Sequence, residues 1–109
     1  MAVRNGCHLC VAMHSARLAA LGADPAVAAA LRAGAPPGEG RLDAARAFTL
    51  RVLDTAGEAG DQSVADFLGH GFTRRNALEI VLGVGAYTLS TLANRLTGAP
   101  VDDQLAAFA

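Results

Sequence analysis

The chain has 109 residues, 52% of them hydrophobic and 17% charged. That balance excludes a disordered or strongly solvated segment and suits one domain with a small core. Lys and Arg number 9 against 10 Asp and Glu, for a formal net charge of −1, so charge gives no reason to expect nucleic acid or an anionic membrane as partner.

Alanine and glycine are abundant and β-branched residues few, which favours helices over sheet. The expectation is an all-α single domain over residues 1–109, with about five helices. Met1 to Asn5 carry no apolar signal core, and no apolar run is read as a membrane span. Two cysteines, Cys7 and Cys10, do not make a disulfide scaffold. These features predict a soluble, cytoplasmic protein whose thiols rest reduced and cycle.

Asn5 or Gly6 opens the first predicted helix, which runs to Leu21 and stops at Gly22. This stretch reads Cys7-x-x-Cys10-x-x-x-His14. At about 100° per residue, with Cys7 at zero, Cys10 falls at about 300° and His14 at about 340°. The three side chains then share one stripe, while His8 points elsewhere. A histidine one turn after a thiol can take its proton, and a second thiol three residues before can close a disulfide. The first turn of a helix also stabilises a thiolate. The pattern is a set of parts for thiol redox chemistry. Its rival is a metal module built on Cys7, Cys10 and His14, with His8 or His70 as fourth ligand. No second ligand pair exists in the sequence, so neither a metal nor another cofactor is expected.

Asp24-Pro25 opens a short helix to Ala33, closed by Gly34. Ala35 to Gly40 is a loop on its turn residues. A third helix is predicted from about Leu42 to Ala56, and a short fourth, capped by Asp61, that ends at the Gly69-His70-Gly71 turn. Thr73 caps the longest element, Arg74 to Leu96, whose centre from Ala77 to Leu92 is apolar nearly all round. That pattern predicts one long buried C-terminal helix. Gly83 and Gly85 within it imply close approach of a neighbouring helix, or a local kink. Glu79 there needs a partner, either an arginine or the thiol site. Tyr87 and Asn94 read as packing or hydrogen-bonding residues. The tail from Val101 is a short helix capped by Asp102, or an arm.

Asn5-Gly6-Cys7-x-x-Cys10-Val11-Ala12-x-His14-Ser15 resembles the alkyl hydroperoxidase D-like, or carboxymuconolactone decarboxylase-like, family, in its peroxidase-related branch. Leu31-Arg32-Ala33-Gly34 with the proline-rich loop after it, Gly71-Phe72-Thr73, Leu78 to Val84, and Asn94 through Thr97 to Asp102 resemble that branch too. The resemblance covers nearly the whole chain. It implies an all-helical fold assembling as trimers or hexamers. It further implies that Cys10 attacks a hydroperoxide, that Cys7 resolves it into a disulfide, and that His14 belongs to a proton relay. A dithiol or thioredoxin-like donor would then reduce the disulfide. The resemblance is to the C-terminal part of a longer member. The relay glutamate that active members carry upstream of the first cysteine has no counterpart here. The histidine inside the motif is His8, where members often place it at the position of Leu9. The alternative in function is a non-catalytic oligomeric remnant of the family.

Overall fold

The computed structural model describes residues 1–109. They form α1 (His8–Ala20), α2 (Pro25–Arg32), α3 (Gly40–Asp54), α4 (Asp61–Gly69), α5 (Arg74–Thr97) and a terminal 3-10 helix, Asp103–Phe108, with no strand. The all-α expectation holds.

The helix boundaries follow from local chemistry. Asp24 accepts the Ala26 N–H at 2.8 Å, and Pro25 occupies the first turn of α2, where its missing N–H costs nothing. Thr73 and Asn76 form a reciprocal cap at the start of α5. The Asn76 N–H donates to Thr73 Oγ1 at 3.2 Å, and the Thr73 N–H donates to Asn76 Oδ1 at 2.9 Å. At α4 the cap is Gly60 rather than Asp61, which is already helical. Gly60 has φ 83° and ψ 153°, a region open in practice only to glycine, so the turn before α4 depends on it. The tail forms its short helix with Asp102 at the cap position, but the Asp102 side chain makes no capping bond.

The chain divides into two compact units, one of Met1–Pro37 with Tyr87–Ala109 and the other of Gly38–Ala86. The second unit is built on aromatic stacking. Phe67 is 1% exposed and stacks on Phe48 and on Phe72, each at 4.4 Å between ring centroids. Val52 and Ala59 complete this core, with Ala77, Ile80 and Val84 packed against it from α5. The Arg41 guanidinium lies 4.7 Å over the Phe72 ring, a cation–π contact that closes the stack on one side.

In the first unit α1 packs on α2 and on the terminal helix. Arg32 ties the three together. It donates to the buried Ser15 hydroxyl at 3.0 Å, to the Phe108 carbonyl at 2.7 Å and to Ala109 at 3.2 Å. Ala12 is wholly buried on the inner face of α1.

The expected burial of α5 is corrected. Thr91 is its one buried residue, and Leu78, Leu82, Leu89 and Leu96 are 70%, 72%, 74% and 89% exposed. An apolar composition all round a helix requires cover on every side, and within this chain these leucines have none. Gly83 and Gly85 are not close-approach positions either, because a Cβ on either would meet nothing within 4 Å. The helix runs through both without interruption, so there is no break at the glycines. By length and composition alone α5 is long and apolar enough to cross a membrane.

With open space at Gly83 and helical backbone on both sides, Gly83→Ala should raise stability by about 0.5–1 kcal/mol. Urea unfolding followed by circular dichroism measures it, and an unchanged or lower midpoint would mean that the position is covered in solution.

Candidate active site

Cys7 and Cys10 are joined by a disulfide, with Cα atoms 5.3 Å apart. The two residues are placed differently from the single helical stripe read in the sequence. Cys7 is the N-cap of α1, extended at φ −94° and ψ 96°, and Cys10 lies in the first turn. The extended cap turns the Cys7 side chain back over the helix start, where its Sγ accepts the Cys10 N–H at 3.3 Å. That bond satisfies one of the free N–H groups at the helix N-terminus. The turn before it is fixed by backbone bonds from Asn5 to Met1 and from Cys7 to Ala2, and by the Arg95 guanidinium on the Asn5 carbonyl.

Cys10 Sγ is held from a second element. Thr91 Oγ1 donates to it at 3.6 Å and Asn94 Nδ2 at 3.5 Å, both from α5. Residues 91 and 94 are neighbours on one helical face. Thr91 is 1% exposed, so its hydroxyl has no competing water. Asn94 Nδ2 also lies 3.5 Å from Ser90 Oγ. Hydrogen bonds donated to sulfur favour its anionic form, and a thiolate at Cys10 would find these two donors in place. Thr91 and Asn94 are the site residues that sequence reasoning undervalued. Their spacing of three puts both on one face of α5, but Thr88, Ser90 and Arg95 stand among them in the sequence, so no local signal singles the pair out.

His14 lies one turn beyond Cys10 on α1, as its spacing requires, and is half-buried. Its ring meets Tyr87 edge to face at 4.7 Å and 86°. In this disulfide state its contact is with that ring rather than with a sulfur. Burial pushes the imidazole below its usual 6.5, and the charged N-terminal amino group adds to the effect. His14 is therefore a neutral base at pH 7, able to accept a proton.

A cleft of about 310 Å³ opens beside the disulfide. Gly6, Cys7 and His8 form one wall, and Asn94, Arg95 and Ala99 the other. The two cysteines are nearly buried, at 3% exposure for Cys7 and 4% for Cys10.

The other candidates lie apart from this chemistry. His70 is exposed in its turn, with Nδ1 2.8 Å from the Asp66 carbonyl. Glu79 takes the arginine reading: Arg75 Nε donates to one carboxylate oxygen and Asn76 Nδ2 to the other, both at 3.0 Å. Those bonds, Asn76 first, lower its pKa. No three His, Cys, Asp or Glu side chains converge on a metal-sized site. No protein-family model matches this chain, and no curated protein matches it significantly in sequence.

The His14 shift has a sign that can be tested. Its folded pKa lies below its unfolded value, so acid protonates the unfolded chain first. The associated stability is complete above about pH 6.5 and is lost as pH falls through the folded pKa. Unfolding midpoints taken between about pH 7.5 and about pH 5 should fall, and His14→Gln should flatten that fall.

Proposed function

We propose that the protein is a thiol-dependent peroxidase of the alkyl hydroperoxidase D type, reducing hydroperoxides through Cys10 and Cys7. The observation that carries the reading is the pair of donors, Thr91 and Asn94, on Cys10 Sγ beside a partner sulfur already within bonding reach. A purely structural disulfide has no need of donors aimed at one of its sulfurs, of a neutral histidine one turn away, or of a cleft at its edge. The resemblance of the Cys7-x-x-Cys10-x-x-x-His14 stretch to that family points the same way.

The cycle follows from ordinary sulfur chemistry. His14 takes the Cys10 thiol proton, and the thiolate attacks the outer oxygen of the hydroperoxide. The O–O bond breaks, the alkoxide leaves and receives the proton, and Cys10 becomes a sulfenic acid. The Cys7 thiolate then attacks the Cys10 sulfur. The S–OH bond breaks, water departs after protonation, and the disulfide forms. A dithiol or thioredoxin-like donor supplies two electrons and two protons to restore both thiols. In this reading His14 receives the proton from Cys10 directly. The cysteine cycle belongs in the reducing cytoplasm, where such thiols rest reduced.

Replacing Cys10 by Ser should abolish peroxide consumption. Cys7→Ser should instead leave a persistent sulfenic acid on Cys10, detectable with a dimedone-type probe. His14→Ala should slow turnover by about 10²–10⁴-fold. If neither cysteine variant reacts with the probe and peroxide forms no disulfide in the reduced protein, the peroxidase reading is wrong.

The same reading includes assembly as a homo-oligomer, a trimer or hexamer on the family resemblance. Leu78, Leu82, Leu89, Leu92 and Leu96 stand exposed on one stripe of α5, at spacings of three, four and seven that suit helix pairing. Light scattering should give a multiple of the chain mass, and Leu89→Lys with Leu92→Lys should reduce it to a monomer. A folded monomer at micromolar concentration would contradict the assembly.

A further inference from the structure

We infer that a thiol reductant opens the disulfide at Cys7, entering through the cleft, and that Cys10 departs as the thiolate. This rests on the disulfide being redox-active, as proposed above, and adds a direction to its reduction.

Thiol–disulfide exchange is a displacement at sulfur. A thiolate attacks one sulfur, the S–S bond breaks, and the other sulfur leaves with the electron pair. Two factors decide which sulfur is attacked: access, and the stability of the thiolate that leaves. Exposure does not discriminate here, since the two cysteines are 3% and 4% exposed. The cleft does. Cys7 forms part of its wall and Cys10 does not. A sulfur entering the cleft therefore meets Cys7 first. Arg95 on the facing wall provides a positive charge for an incoming thiolate.

Leaving-group stability selects the same direction. Cys10 Sγ already accepts Thr91 Oγ1–H and Asn94 Nδ2–H, while Cys7 Sγ accepts only the local Cys10 N–H. As the S–S bond lengthens, negative charge grows on Cys10 where two side-chain donors wait. Attack at Cys10 would place the charge on the less supported sulfur.

The step balances. A reductant thiolate and the Cys7–Cys10 disulfide give a mixed disulfide on Cys7 and a thiolate on Cys10. A second reductant thiol then attacks the reductant sulfur of that mixed disulfide, releasing Cys7 as thiolate and the reductant as its own disulfide. Two electrons pass to the protein, and both protein thiolates can take up protons. The first displacement regenerates the attacking form of Cys10 directly, and the two donors serve both halves of the cycle.

The test uses the intact oxidised protein, N-acetylcysteine as reductant, and iodoacetamide quenching at early times. Fragment-ion mass spectrometry then locates the two labels. The expected result is N-acetylcysteine on Cys7 and alkylation on Cys10, in about tenfold excess over the reverse pattern. Equal or reversed labelling overturns the inference. In the reduced protein, the pH profile of Cys10 alkylation should move upward in Asn94→Ala and in Thr91→Val. A profile unmoved in both overturns the leaving-group role. A disulfide that the thiol never opens overturns this inference and the peroxidase reading together. An adduct on Cys10 in a protein that still consumes peroxide overturns the direction alone.

Discussion

The sulfur of Cys10 is where the chemistry of the first unit meets its architecture. It lies in the first turn of α1, bonded to the Cys7 cap, and accepts hydrogen bonds from Thr91 and Asn94 on α5. Two helices far apart in sequence must hold their spacing for those bonds to exist. The N-terminal turn contributes through Arg95 on the Asn5 carbonyl, and the terminal segments through Arg32 on Ser15 and the last two residues. Each contact fixes the chain around α1, and each is a polar contact within a small, alanine-rich unit whose buried apolar side chains are few. Such a unit gains order from directional bonds that its modest apolar burial would not supply.

The other unit takes the opposite route. Phe48, Phe67 and Phe72 stack in succession, and aliphatic residues of α3, α4 and α5 fill the space around them. Aromatic rings bury large area for few torsions, which is how a short segment reaches a defined core. One helix, α5, serves both units in turn. Ala77, Ile80 and Val84 face the aromatic core, while Tyr87, Thr91 and Asn94 face the cysteine helix. Its outer face keeps leucines throughout, and within the single chain those leucines meet water.

The site combines a preformed disulfide, a base held neutral by burial and an asymmetric set of donors. The asymmetry is its most informative property. A pair of cysteines three apart is nearly symmetric in sequence, and each lies close to the same helix N-terminus. The environment from α5 makes the two sulfurs chemically different, because its side-chain donors reach the Cys10 sulfur while the Cys7 sulfur has the local Cys10 N–H.

The sequence alone determined much of the local structure. Asp24-Pro25, Thr73 and the glycines after α1 and α2 set helix boundaries through backbone chemistry that operates within a few residues, and those boundaries are found in the structure. The spacing of Cys7, Cys10 and His14 likewise put the thiols within disulfide reach and the histidine one turn on. What required the tertiary structure was everything that depends on distant residues. The cap position of Cys7 came from the turn before it, where a simple helical wheel assumed one continuous helix. Thr91 and Asn94 lie more than eighty residues from Cys10, and no local rule links them to it. The exposure of α5 also escaped the pattern, because periodicity records which faces are apolar and only packing decides which of those faces is covered.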